Sequence, residues 1–226
     1  MKRKIMLLAV LIMAAGIWTG CSQSEPSFGK SMGRWAGFGL ESMIENRAGG
    51  LEYIEVTMNN VIGKDTAGVW DRAAKLKAEI DSAGLKVWSV HMPYSRKIDI
   101  SLADSAKRAD VVSYMKDMLR VAGVFQPENI VLHPSSEPIT PDEREYRLQC
   151  SHESIGELAP AAKEIGATLC IENLPRTCLG QNGQEMMQLI EGYDEVGLCF
   201  DTNNLLYQSH EDYLKALELA AAGKIA

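Results

Sequence analysis

Five short apolar runs in this chain each end on a residue that can bind a metal or move a proton. They are Tyr53-Ile54-Glu55, Val87-Trp88-Ser89-Val90-His91, Ile130-Val131-Leu132-His133, Leu169-Cys170-Ile171-Glu172 and Leu198-Cys199-Phe200-Asp201. Successive endpoints stand about 30 to 40 residues apart, the length of one strand with its crossover helix and loops. Parallel strands wound into a ring would bring these endpoints to one rim. In that way residues distant in sequence become a site.

The segments between the runs carry helical periodicity. From Asp65 to Ala83, Val69, Ala73, Leu76 and Ile80 share one stripe, and Gly84 is placed to end the helix. From Asp104 to Ala122, Val111, Val112, Met115, Met118, Leu119 and Ala122 do the same. Thr140-Pro141-Asp142-Glu143 is a helix start, with Thr140 as cap, Pro141 at the first position and Glu143 completing a capping box. That helix should run past His152 toward Ile165, with Pro160 marking a break or a restart. Leu40 to Ala48, Gln184 to Glu191 and Ser209 to Ala222 supply further helices.

Strand and helix in alternation specify a parallel sheet, and runs without polar alternation suit strands covered on both faces. Gly33 to Phe38 holds a faint first strand. With five clear runs this makes about six of the eight βα units of a TIM-type (β/α) barrel, which typically needs about 250 residues. The chain stops at Ala226, before a seventh strand, so the expected fold is an incomplete parallel α/β barrel. An open doubly wound sheet is the alternative, but it would carry a glycine-rich phosphate turn after its first strand, and none is present.

The first residues are set apart. Lys2-Arg3-Lys4, the apolar stretch Ile5 to Trp18, and Thr19-Gly20-Cys21 form a basic region, a hydrophobic region and a small-residue cleavage site. The pattern resembles the lipobox of bacterial lipoproteins, although Trp18 stands where leucine is usual; an ordinary secretory signal is the other reading. The expected organisation is a signal peptide over 1–20, a tether over 21–31 beginning at a lipidated Cys21, and a barrel domain over 32–226. The protein is then exported and held to the envelope membrane through its N-terminus.

The formal net charge is −7, more negative once the leader is removed, and no basic run follows it. This argues against a nucleic-acid backbone as ligand. Cys150, Cys170, Cys178 and Cys199 remain, an even number that permits disulfides in an exported protein. Cys170 and Cys199 lie inside apolar runs, where a buried free thiol is the commoner state.

Side chains alternate across a strand, so Cys170 shares a face with Glu172, and Cys199 with Asp201. The carboxylates should point inward at the C-terminal rim, where such barrels hold their active sites, with the thiols one layer deeper. His91 precedes Met92-Pro93 and His133 precedes Pro134, so both stand where strand becomes loop. His152 and His210 fall on helices and read as surface residues. Two histidines and two carboxylates at equivalent strand ends indicate a polar rim site and a divalent metal.

Tyr53-Ile54-Glu55, Val90-His91-Met92-Pro93, Val131-Leu132-His133-Pro134, Ile171-Glu172-Asn173 and Cys199-Phe200-Asp201-Thr202 together resemble the xylose-isomerase-like TIM barrels. That superfamily includes sugar-phosphate isomerases and epimerases and apurinic endonucleases. In the sugar branch the resemblance implies one divalent metal (manganese, magnesium or zinc) held by four strand-end residues. Glu172 and Asp201 match the first two, and the others would lie beyond Ala226. Glu172 would also be a catalytic acid/base, with His91, His133 and Asn204 orienting substrate hydroxyls and Asn173 and Arg176 as loop contacts. In the endonuclease branch the two histidines, Glu172 and Asp201 would hold several zinc ions. That site also needs a histidine where Asn204 stands, and asparagine is a poor zinc ligand.

Three functions follow as expectations. The first is a metal-dependent sugar or sugar-phosphate isomerase or epimerase of the cell envelope, inactive as given unless more chain completes the barrel. The second is a non-catalytic carbohydrate-binding or scaffold lipoprotein. The third is a zinc phosphodiesterase, against which export, charge and Asn204 all count. The expected partners are a small carbohydrate and the membrane, without nucleic acid. A homo-oligomer is compatible with the sequence.

Overall fold

Each apolar run forms a strand, and the strands lie side by side in the order of the chain. The computed structural model describes residues 29–31 and 39–204. Its strands are β1 (Gly29–Ser31), β2 (Tyr53–Thr57), β3 (Lys86–His91), β4 (Asn129–Leu132), β5 (Thr168–Glu172) and β6 (Val196–Cys199). They make one sheet in the order β1-β2-β3-β4-β5-β6, and every neighbouring pair is parallel. This order decides between the two architectures. A doubly wound sheet reverses direction at a switch point, whereas a barrel adds each strand beside the last. The winding is that of a parallel (β/α) barrel. Among the described residues β1 and β6 do not pair, so the barrel is not closed.

The strand β1 occupies the end of the stretch expected as tether, pairing Gly29 with Tyr53 and Ser31 with Glu55. The expected signal peptide, lipid attachment at Cys21, strand within Gly33 to Phe38, helix Ser209 to Ala222 and His210 lie outside the described residues. Among the described residues no helix is long and apolar enough to cross a membrane.

The connections are α1 (Leu40–Ala48), α2 (Met58–Ile62), α3 (Val69–Ser82), α4 (Ser105–Ala122), α5 (Pro141–Glu164) and α6 (Gly183–Ile190). The buried side of α3 holds Val69, Ala73 and Ile80, and Gly84 follows its end at φ +72°, a left-handed conformation that glycine adopts without a Cβ clash. Asp104 caps α4 by accepting from the amides of Ala106 and Lys107. Thr140 and Glu143 close the capping box of α5, the glutamate accepting from the Thr140 amide at 2.9 Å; such a cap is worth about 1 kcal/mol. The helix does not break at Pro160. That residue faces solvent, where water can take the hydrogen bond it removes, while Ile155, Leu158, Ala159 and Ala162 keep the opposite face packed.

The two faces of the sheet have different tasks. Ile54, Val56, Val90, Ile130, Leu132 and Ile171 point outward into one buried cluster with Ile80, Met115, Leu119, Ile155 and Leu158 of the helices. The opposite parity places Glu55, Ser89, His91, Cys170, Glu172 and Cys199 on the inner face. The outer layer therefore supplies the core and leaves the inner rim free for polar groups.

Candidate metal centre at the strand ends

Three side chains from three successive strands converge at the rim. His91 is the last residue of β3, His133 the first after β4, and Glu172 the last of β5. His91 Nε2 lies 3.0 Å from Glu172 Oε2, and His133 Nε2 lies 3.1 Å from the same oxygen. One ligand atom from each residue fits within a mutual distance of 4.8 Å. The two imidazoles meet edge to face, their centroids 4.8 Å apart.

The hydrogen bonding shows what the cluster could hold. His91 Nδ1 donates to the Met92 carbonyl at 2.9 Å, so in the neutral ring Nε2 carries a lone pair. That lone pair faces a carboxylate oxygen. Two lone pairs at 3.0 Å repel unless a proton or a metal ion stands between them. Two imidazole nitrogens and one carboxylate oxygen are donors that suit a divalent transition metal, so the residues fit the group the fold implies.

The charges agree. Burial alone would raise Glu172, but hydrogen bonds and charge from His133 and His91 outweigh it and lower its pKa to about 2. Burial would likewise lower His91; the Glu172 carboxylate, the Met92 carbonyl and the Glu55 charge raise it above its ordinary value instead. The carboxylate stays ionised, and the imidazole holds its proton more tightly than a free ring does. Asp201 is pushed up, chiefly by burial and further by the charge of Glu172.

The other expected site residues divide. Asp201 lies two residues beyond β6, and its carboxylate accepts from the Asn203 amide at 2.8 Å; it is not one of the three clustered donors. Asn173 donates to the Asp201 carbonyl and accepts from the Asp201 amide, at 3.0 and 2.7 Å, so its amide grips backbone. Asn204 donates to Glu172 Oε1 at 3.3 Å and to the Asn173 carbonyl at 2.9 Å. Glu172 thus turns one oxygen to the histidines and the other to Asn204. Arg176 forms a two-point ion pair with Glu137, 2.8 Å at each contact, on an exposed stretch of loop.

Glu55 is not a strand end, because β2 continues to Thr57. Its carboxylate accepts from Ser31 and Ser89 at 2.6 and 2.8 Å, two residues below the rim. A cavity of about 490 Å³ opens there, between Tyr53, Trp88 and Glu55 and below the histidine cluster. Cys150, Cys170, Cys178 and Cys199 are all free thiols. Burial raises Cys170 to about 12 and pushes Cys199 higher still, so the inner thiols are packing groups. His152 is half-buried rather than a surface residue: it stacks on Tyr193 at 4.6 Å and hydrogen-bonds the Leu189 carbonyl.

Two residues at the rim carry no strand-end signature. Tyr94 lies against both histidines, its ring centroid 5.0 Å from His91 and 4.8 Å from His133. Asn59 holds the Tyr94 backbone at both polar atoms, donating to its carbonyl at 3.0 Å and accepting from its amide at 3.1 Å. Tyr94 stands in the loop after β3 and Asn59 in α2, so no strand or helix periodicity points to the pair.

A family model described as xylose isomerase-like TIM barrel matches residues 47–226. Solved structures of similar fold include D-psicose 3-epimerase of Clostridium cellulolyticum H10 with D-tagatose, at TM-score 0.69 and 19% identity over 84% of this chain and 70% of that one. An L-ribulose 3-epimerase gives 0.67 and 23%, over 88% and 67% of the two chains. The 3-keto-D-glucoside 4-epimerase of E. coli gives 0.67 and 17%, over 88% and 76%. At these identities the likeness is one of fold. No curated protein matches the chain.

Proposed function

The chain belongs to the xylose isomerase-like TIM barrel family, and on that footing we propose that it is a metal-dependent sugar or sugar-phosphate isomerase or epimerase. The observation that carries this reading is Glu172 at the C-terminal rim, an ionised carboxylate whose second oxygen accepts from Asn204 where the other branch needs a metal-binding histidine. Epimerases among the structures of similar fold support a small carbohydrate as substrate.

The reaction class requires removal of a proton alpha to a carbonyl and its return to the other face or to the adjacent carbon. When bound, a divalent cation of the manganese, magnesium or zinc kind supplies positive charge beside the oxygens that become negative as that proton leaves. His91, His133 and Glu172 would hold it, with Asp201 brought in from the β6 loop. Glu172 is ionised, as an acceptor must be, and Asn204 fixes its second oxygen by donation.

Deuterium exchange tests the reading. Wild type and Glu172→Gln are compared with Mn²⁺ and a panel of ketopentoses, ketohexoses and their phosphates in D₂O, with metal content measured in parallel. Exchange alpha to the carbonyl in wild type and its loss in the variant are expected. Equal activity and metal content in both would place the chemistry elsewhere. Sugar binding without exchange would favour a carbohydrate-binding scaffold.

One observation favours a second reading, the zinc phosphodiesterase: both strand-end histidines face Glu172, as that branch implies. The net charge of −7 and Asn204, which donates a hydrogen bond where a ligand is needed, weigh against it. Zinc-dependent nicking of abasic DNA would reverse the order of the two. For location we propose export and lipid anchoring at Cys21. Labelled fatty acid incorporated by wild type, and not by Cys21→Ser, is the expected result.

A further inference from the structure

A metal centre built from imidazoles depends on what holds the rings. An imidazole turns freely about two side-chain bonds, and a turn of the ring carries Nε2 away from its target. His91 is tied at Nδ1 to the Met92 carbonyl. Among the described residues His133 has no such tie to the backbone; its ring contacts are His91 and Tyr94. Tyr94 lies at 32° to the His133 plane and 60° to the His91 plane, so one phenol ring restrains both imidazoles.

Tyr94 is itself in a loop, just past Met92 and Pro93 at the end of β3. The strand pairing extends one residue beyond β3, through the Met92 amide to the Val131 carbonyl at 2.8 Å, and does not reach Tyr94. Asn59 continues it. Its side-chain amide offers a donor and an acceptor with the spacing of a neighbouring backbone, and both are engaged by Tyr94. The asparagine belongs to α2, directly after β2, so the clamp ties two consecutive rim loops.

We infer that Tyr94 is a positioning residue for the metal centre, locking the His91 and His133 rings toward Glu172, and that Asn59 holds Tyr94 in place for that purpose. The inference rests on the rim cluster being a cation site; it does not depend on the sugar chemistry.

The experiment uses the full chain with Mn²⁺ alone as probe, in wild type, Tyr94→Phe, Tyr94→Leu, Tyr94→Ala and Asn59→Ala. Circular dichroism reports the fold of each. Loss of a supporting residue costs about 10–100-fold in metal affinity. Tyr94→Ala and Tyr94→Leu should fall in that range and Asn59→Ala near its lower end, with Tyr94→Phe within about twofold of wild type. Tyr94→Leu keeps the loop filled, so it decides the point if the alanine variant unfolds.

A second readout needs no metal. The ¹⁵N shifts of the imidazoles report tautomer and charge, and wild type and Tyr94→Phe should each show one set of signals for His91 and His133. Tyr94→Leu should show an averaged His133 ring, His91 keeping its tie to the Met92 carbonyl. Unchanged rings and unchanged affinity in Tyr94→Leu would overturn the inference. A Phe variant as weak as the Leu variant would overturn it too, because the hydroxyl would then be acting as a ligand. A wild type that takes up no Mn²⁺ would overturn the inference at its premise together with the metal-dependent function, whereas Mn²⁺ uptake with unchanged affinity and rings in Tyr94→Leu would overturn the inference alone.

Discussion

His91 meets Glu172 across 3.0 Å while its other ring nitrogen already donates to the Met92 carbonyl. The backbone thus selects the tautomer and aims the second nitrogen at the carboxylate. A cation bound there would meet an imidazole already oriented by the backbone.

Removing that ligand should weaken the centre more than disturbing its surroundings. His91→Gln is expected to lose more than about a hundredfold in Mn²⁺ affinity, beyond the range of a supporting residue. Calorimetric titration measures this. An affinity within about tenfold of wild type would show that His91 does not ligate.

The metal-free protein should lose stability on the alkaline side. In the fold His91 titrates above its ordinary 6.5, since Glu172 and the Met92 carbonyl outweigh the lowering effect of burial. A proton held more tightly by the folded state stabilises fully below 6.5, and that gain disappears as the pH rises through the raised value. Glu172, brought from 4.5 to about 2 by the histidines against the effect of burial, stabilises above 4.5 and loses its contribution as the pH falls toward about 2. Both gains are present between 4.5 and 6.5. Saturating Mn²⁺ should flatten the alkaline limb by taking the place of the proton. Melting curves of wild type and His91→Gln at about pH 5.5 and 8 test this. A limb equally steep in the variant would remove His91 as its cause.

Gly156 in α5 is expected to reject a methyl group. A Cβ there would lie 2.7 Å from Tyr193 Cζ and 3.0 Å from Cε1. Overpacking costs about 1–3 kcal/mol, against about 1 kcal/mol that alanine gains over glycine in a helix. Gly156→Ala should therefore destabilise by up to about 2 kcal/mol in urea. The same change in a Tyr193→Ala background should stabilise. Stabilisation in both backgrounds would show that the ring yields.

Arg147 and Asp99 form a buried ion pair at 2.7 Å, their side chains 8% and 5% exposed, with Ser101 Oγ also within reach. Asp99 lies in the connection that starts at His91 and Tyr94. Truncating one partner of such a pair costs about 3–5 kcal/mol, whereas replacing both by apolar groups is often neutral. Glu143, 3.5 Å from Arg147, offsets part of the loss, so Asp99→Ala should cost about 3 kcal/mol. Arg147→Met with Asp99→Leu should cost far less. Chemical denaturation checks both.

Much of this was legible in the sequence because its signals are local. The stripe of Val69, Ala73 and Ile80, the Thr140 capping box and the spacing of the apolar runs each depend on a few adjacent residues. Strand parity alone put Glu172 and Cys170 on the inner face. The rest depends on contacts across loops. β1 is Gly-Lys-Ser, a strand made by its pairing with β2 rather than by its own propensity. Nothing adjacent to Asn173 or Arg176 tells that one would hold the Asp201 backbone and the other Glu137. Sharing of one Glu172 oxygen by two histidines, with Asp201 outside the cluster, needs side-chain directions that periodicity does not carry.

The divided attention of Glu172 has a consequence for how the protein matures. One oxygen answers to strands β3 and β4 and the other to the turn after β6, so the carboxylate closes a circuit through most of the sheet. No smaller set of strands contains that circuit. Capture of a metal by the three clustered donors would then report that β3, β4 and β5 have been brought together, and the Asn204 bond would add the turn after β6 to that assembly.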